Sequence, residues 1–389
     1  MDRKLLARVD EVVGREAGAL DALSLEIHGS PELRYEEHKA TAWITSFLEA
    51  RGHEVERRLG GIATAFRARA GKAGGPRVAI LAEYDALPEI GHACGHNLIA
   101  AGAVGAFLTL APHADRLDAT VELIGTPAEE GGGGKIVLVD HGVFEGVDAA
   151  LMFHPFDRDL TAHPTLANLW LQMSFHGAPA HAAIAPWDGR SALTACLQTF
   201  SLVDAQRVHF RDGVRVHGFV TDGGQAVNII PERAACEFSV RARTLAELDR
   251  VRAIVERCAR GAAMACGVEV TITARRGYKD MRNNLPLARE FGAQLRALGR
   301  EAREVDERVG TGSTDMGDVS HAVPSIHAWL AICDEGETLC HEHAFARAAR
   351  SPRAMETMAV ASKAMARTAA AFLSDPALRH SVRAAFRGG

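Results

Sequence analysis

Apolar residues recur at helical spacing over residues 5–28, where Gly29-Ser30-Pro31 ends the run, and a second helical pattern covers about 36–51. A β pattern at 64–69 leads through a glycine-rich turn at 71–76 into Val78-Ala79-Ile80-Leu81, a continuous apolar run that reads as a buried strand. Residues 98–110 are small and apolar and predict a buried helix. A strand at 119–124, a short helix at 136–140 and a strand at 149–153 continue the alternation. Such a pattern predicts an α/β domain with a largely parallel sheet and its reactive loops along one edge.

After about residue 167 the pattern changes. Strand 169–175, helix 191–206, strands 214–221 and 235–243, helix 245–265 and strand 268–274 form a compact βαββαβ unit, read most simply as an α+β insertion. The larger pattern resumes with a helix at 285–300, a loop rich in Gly and Ser at 310–317, a buried strand at 326–332 and a long helix at 351–373. The tail 379–389 is expected to be a frayed end. The chain therefore reads as one discontinuous domain, 1–167 with 280–389, interrupted by a second at 168–279.

A chain of 389 residues is too long for one ordinary core, which agrees with two domains. No apolar run approaches the roughly 20 residues that span a bilayer, and Met1-Asp2-Arg3-Lys4 has no apolar signal core behind it, so a cytoplasmic protein without a membrane partner is expected. The seven cysteines are scattered and lack zinc-finger spacing, so most are expected to be reduced and structural. With a formal net charge of -5 and no long basic run, nucleic acid is excluded as the main partner.

The richest stretch is AEYDALPEIGHACGHN, residues 82–97, set between a strand and a helix, where α/β sheets collect their ligands. Cys94, His96, Glu130, His154 and His341 supply N, O and S donors in or next to loops that follow strands. Singly, His154 before Pro155 reads as a hydrogen-bonded loop residue and Cys94 as buried filler. Jointly, five donors at successive strand ends suit two divalent metals sharing a bridging water better than one closed structural zinc. Glu129 and Glu130, adjacent in what reads as an extended segment, point in different directions, so one can bind metal while the other faces a water and moves its proton. The glycine run 131–134 lets backbone approach a ligand. It is not a Walker loop, because Glu129 and Ile136 stand where that pattern needs Gly and Ser or Thr. Arg241 or Arg243 could hold a substrate carboxylate in a two-pronged hydrogen bond, and Ser313 and Thr314 offer hydrogen bonds in a loop expected to line the pocket.

In combination, AEYDALPEIGHACGHN, GTPAEEGGGGK, MFHP, GAPAHAA, AVNIIPERA, GSTDMGDVS and CHEHAFARAA resemble the M20 metallopeptidase family. The likeness is to its amidohydrolase branch, which includes aminobenzoyl-glutamate hydrolase subunits and aminoacylase-1-like proteins, and it spans nearly the whole chain in order. The resemblance implies a catalytic domain interrupted by a lid and dimerisation domain, a homodimer formed through that insertion, and a two-metal site. Cys94 and His96 match the branch's Cys-Gly-His ligands, Glu130 and His154 the next two, and His341 the last, with His343 as its competitor two residues on. Glu129 matches the general acid/base and Asp85 the acid that orients a ligand. His92 either does the same or caps the loop. His181 matches a lid histidine that stabilises the oxyanion in the partner subunit's site, and Asn228 a lid asparagine with a similar polar role.

The expected reaction is hydrolysis of the C–N amide bond of a small N-acyl or aroyl amino acid or dipeptide, by a metal-activated water with Glu129 as general acid/base. The thiolate leans toward zinc, while the N and O donors admit manganese or cobalt. Two alternatives stay open at this point, a metal-dependent deaminase of a small aromatic amine and a catalytically silent metal-binding protein of the same fold. A retained base beside a full ligand set speaks against the second.

Overall fold

The computed structural model describes residues 3–388, which divide into two compact units. Unit 1 holds residues up to Pro164, with Met281–Gly310 and everything from Asp315 on; unit 2 is Thr165–Asp280 with Thr311–Thr314. Among the described residues no helix is long and apolar enough to cross a membrane.

Unit 1 begins with α1 (Arg3–Gly29), α2 (His38–Glu49), β1 (Val55–Arg57), β2 (Phe66–Gly71), β3 (Arg77–Ala82), α3 (His96–Leu110), β4 (Thr120–Gly125), α4 (Gly134–Asp140) and β5 (Ala149–Phe156). Unit 2 supplies β6 (Ala167–His176), α5 (Ala192–Gln206), β7 (Arg215–Asp222), β8 (Arg233–Ala242), α6 (Leu245–Cys266) and β9 (Glu269–Arg276). Unit 1 then resumes with α7 (Leu285–Ala297), α8 (Met316–Ala322), β10 (Ser325–Ala331), α9 (His343–Ala348), α10 (Pro352–Ser374) and α11 (Pro376–Gly388).

The sheet of unit 1 runs β1-β2-β4-β3-β5-β10. β4, β3, β5 and β10 are mutually parallel, while β1 and β2 add an antiparallel edge. Parallel strands buried on both faces need continuous apolar sequence, and β3, β4 and β10 are buried at nearly every position. All residues of α3 are buried, because its small side chains let α1 and α10 pack closely against it over the sheet. In unit 2 the four-stranded antiparallel sheet runs β7-β8-β6-β9. Leu169, Leu171, Met173 and Phe175 of β6 point to the face covered by α5 and α6, and the alternate residues turn away from it.

The structure corrects three local expectations. The tail 379–388 is not frayed but belongs to α11; Gly389 lies outside the described residues. Asp375 Oδ1 caps that helix by accepting from the N–H groups of Ala377 and Leu378, and Pro376 supplies a preset φ at its first turn. Val382 is fully buried, and its carbonyl accepts from Asn284 Nδ2 at 2.9 Å. The loop expected over 310–317 ends early, since Met316 and Gly317 already belong to α8. His154 does not follow its strand but lies within β5, paired with Trp329 of β10.

Candidate active site

The order β4-β3-β5-β10 explains how distant residues meet. Parallel neighbours bring their carboxyl ends to one edge of a sheet. The segment after β4 carries Glu129 and Glu130, the segment after β3 carries Cys94 and leads to His96, β5 carries His154, and the segment after β10 carries His341. One donor atom each from Cys94, His96 and His154 lie within 4.8 Å of one another. The same holds for Cys94, Glu130 and His341, and for His96, Glu129 and Glu130. All five donors named from the sequence thus share one cluster with Glu129. His341 Nε2 stands 3.6 Å from Glu130 Oε1, whereas His343 opens α9 and is in none of these groups.

Local chemistry aims the imidazoles. His96 Nδ1 donates to the Asp85 carbonyl and to Asp85 Oδ1 at 2.9 and 3.0 Å, and His154 Nδ1 donates to the Pro155 carbonyl at 2.7 Å. A neutral ring committed at Nδ1 presents the lone pair of Nε2. Gly95, the cap of α3, has φ +72, and a Cβ there would lie 2.9 Å from Pro155 Cγ. The Cys-Gly-His order therefore needs its glycine both for conformation and for the close approach of the His154 strand. His92 lies buried beside His28, ring centroids 6.0 Å apart.

Glu129 to Gly132 form a turn rather than the extended segment expected from the sequence. Ala128, at φ +63, has its carbonyl wrapped by the N–H groups of Gly132 and Gly133 at 3.1 and 2.7 Å. A segment about ninety residues away clamps this turn. Glu37 Oε1 accepts from the N–H groups of Ala128 and Tyr35 at 2.9 and 2.8 Å, its Oε2 accepts from Thr64 Oγ1 at 2.8 Å, and Tyr35 Oη donates to the Gly132 carbonyl at 2.7 Å. Replacing Glu37 by Ala strands the Ala128, Tyr35 and Thr64 donors, at about 1–3 kcal/mol for each of the two buried ones, Ala128 and Thr64. Denaturant unfolding of Glu37→Ala is expected to show a loss of roughly 2–6 kcal/mol, and a variant within 0.5 kcal/mol of wild type would refute the clamp.

Electrostatics follow from burial. Desolvation, then the charges of Glu130, Glu83 and Asp315, push the Glu129 carboxyl well above the usual range, which suits a group that takes up a proton. For Asp85, burial acts upward, but the His96 ring, the Glu130 N–H and Lys135 prevail and hold its carboxyl low. Lys135 is fully buried against Glu83 and Asp315; burial disfavours its ammonium, yet Asp315, Glu83 and Glu129 together keep it above the ordinary lysine range. The Cys340 thiol, followed by burial, raises the Cys94 thiol. A cation against Cys94 would reverse that. Metal fits this donor set: imidazole, thiol and carboxylate converge, and His96 Nε2 and Glu130 Oε1 are buried without a hydrogen bond among the described residues.

The remaining residues singled out from the sequence lie in unit 2. His181 and Asn228 are exposed, and the Asn228 carbonyl accepts from the Ala182 N–H at 3.0 Å. His181 Nδ1 accepts from the N–H groups of Ala183 and Ile184 at 3.2 and 3.3 Å, so the neutral ring carries its proton on Nε2. Arg241 is half-buried in β8 opposite Asn168 and Arg215. Arg243 lies at the end of β8 against Gly213. Ser313 is half-buried and Thr314 buried. Glu37, Tyr35, Lys135 and Asp315 escaped the sequence reading. Lys135 was visible only as a failed Walker match, and nothing local links Glu37 to Ala128.

A buried carboxyl raised above its usual range, among imidazole, thiol and carboxylate groups that could hold a metal at the carboxyl edge of a mostly parallel sheet, is the arrangement of a metal-dependent hydrolase. Residues 79–370 match the model of peptidase family M20/M25/M40, and the chain belongs to that family. It is 37% identical over 404 residues to the Xaa-Arg dipeptidase of Mus musculus, covering 100% of this chain and 92% of that protein. It is 28% identical to a p-aminobenzoyl-glutamate hydrolase subunit of Escherichia coli strain K12, covering 95% of this chain and 92% of that protein. Among solved structures, a dinuclear metal binding peptidase of the M20 family from Bacillus subtilis superposes with a TM-score of 0.74 at 22% identity, over 92% of this chain and 99% of the other.

Proposed function

We propose that the protein hydrolyses the C–N amide bond of a small N-acyl or aroyl amino acid or a dipeptide, using two divalent metal ions and Glu129 as general acid/base. The observation that carries this reading is the placement of the raised Glu129 carboxyl within 4.8 Å of His96 and Glu130 donors. The names of the relatives support the substrate class, since one is a dipeptidase and another belongs to an aminobenzoyl-glutamate hydrolase.

Cys94, His96, Glu130, His154 and His341 would hold the metals, zinc or manganese with cobalt as a substitute, whose chemistry is to polarise a carbonyl and acidify water. Glu129 takes the proton from the attacking water and returns it to the departing amine. Asp85 keeps His96 in the tautomer that offers Nε2, and the Glu37 and Tyr35 clamp keeps the Glu129 turn in place. Ser313, Thr314, Asn228 and Arg241 are assigned to substrate contacts.

His181, with its proton on Nε2, is assigned to oxyanion stabilisation, acting within a homodimer built through unit 2. His181→Ala is expected to lower kcat about a hundredfold with metal content unchanged, and sedimentation should report a dimer. A variant that keeps wild-type kcat removes that assignment. The reaction itself is tested by incubating metal-loaded enzyme with N-acyl and aroyl amino acids, dipeptides and small aromatic amines, and identifying products by mass. Release of a carboxylic acid and an amine or amino acid is the expected result. Ammonia as the only amine product would replace amide hydrolysis by deamination.

A further inference from the structure

We propose that Glu83 is a further ligand of the metal held by His96, and that Lys135 is the positioning residue that aims it. This rests on the metal-dependent reading above and adds a donor outside the five taken from the sequence. Glu83 directly follows β3 and is fully buried. Its Oε1 accepts from Lys135 Nζ at 2.5 Å, while its Oε2 makes no hydrogen bond among the described residues and stands 3.4 Å from His96 Nε2. His96 Nε2 likewise makes no hydrogen bond among the described residues.

The chemistry of that pair decides what belongs beside it. Metal binding requires a neutral imidazole. With Nδ1 donating to Asp85, the neutral ring turns the Nε2 lone pair toward a carboxylate oxygen. Two buried lone pairs at such a distance repel unless a proton or a metal ion serves both, and a bound metal displaces the proton from Nε2. Ligand atoms about 2.1 Å from a tetrahedral metal lie about 3.4 Å apart, which is the separation observed between these two atoms.

Lys135 makes the arrangement one-sided. Its Nζ also donates to Asp315 Oδ1 at 2.8 Å and its backbone N–H to Asp315 Oδ2 at 3.0 Å, so the side chain is held at both ends. With Oε1 committed to this ammonium, Glu83 has only Oε2 to offer. One Glu83 donor also lies within 4.8 Å of donors from Glu129 and Asp315, on the side of the base.

The test measures metal rather than turnover. Wild type and Glu83→Gln, an isosteric change, are stripped with chelator and titrated with zinc in competition with a chromophoric chelator. For Glu83→Gln, one of two sites is expected to weaken by about 10- to 100-fold while the other is unchanged, and the visible spectrum of the cobalt(II) form should shift. Equal affinities and equal spectra would overturn the assignment. Should Glu83→Gln fail to fold, a crystal structure of zinc-loaded wild type decides: an Oε2–zinc distance of about 2.0–2.2 Å supports ligation, and a separation beyond hydrogen-bonding range refutes it. Two zinc ions on wild type with no effect of the substitution would sink this proposal alone. No tight divalent ion on wild type would sink the functional reading with it.

Discussion

Glu129→Gln is expected to bind the same metal complement as wild type and to hydrolyse the best amide of the panel about 10²- to 10⁴-fold more slowly. The residue is nearly buried, and its carboxyl is raised by desolvation and then by Glu130, Glu83 and Asp315. The glutamine amide keeps the shape of the side chain and can neither accept the proton of water nor deliver it to an amine. The turn that carries it is held through the backbone of Ala128 and Gly132, not through the Glu129 side chain, so the substitution should leave the donors in place. Metal analysis and a thermal melt on the same sample separate the outcomes. Lost activity with metal retained assigns proton transfer to Glu129. Activity within about threefold of wild type would move the base elsewhere, since general base catalysis is worth far more than that.

Removal of metal should abolish activity and lower stability together, and both should return on adding zinc or manganese. Glu83, Glu129, Glu130, Asp85 and Asp315 converge with Lys135 as the buried lysine among them. Binding to the folded state alone adds about 4 kcal/mol at a ligand concentration a thousand times Kd. Chelator-treated protein is therefore expected to melt several degrees below the loaded form. The loss should be reversed by the divalent ion and not by magnesium at the same concentration, because thiol and imidazole donors disfavour a hard cation. Full activity after exhaustive chelation, with no metal detected, would contradict the assignment of the donor cluster.

Much of this organisation was legible because it is local. Cys94 and His96 are two residues apart across a glycine whose left-handed φ the motif requires. Glu129 and Glu130 lie just beyond an apolar strand, and the period of apolar residues marked the parallel strands and the two-sheet division. The signal for α11 is also local, a Ser-Asp-Pro start at residues 374–376, but the segment after it is polar and its one fully buried side chain is Val382, too few apolar positions to show a helical period.

By itself, then, the sequence determined which residue types stand at the strand ends, since burial on a pleated sheet or a helix face imposes its period on neighbouring residues. Only the tertiary structure decided what surrounds them. Glu37 reaches Ala128 across 91 residues, Lys135 reaches Asp315 across 180, and Glu83 Oε2 meets His96 Nε2 at 3.4 Å. Such pairs carry no period, because the parallel crossovers that bring strand ends to one edge are set by the packing of whole elements, and each buried charge finds its partner only once that packing has formed.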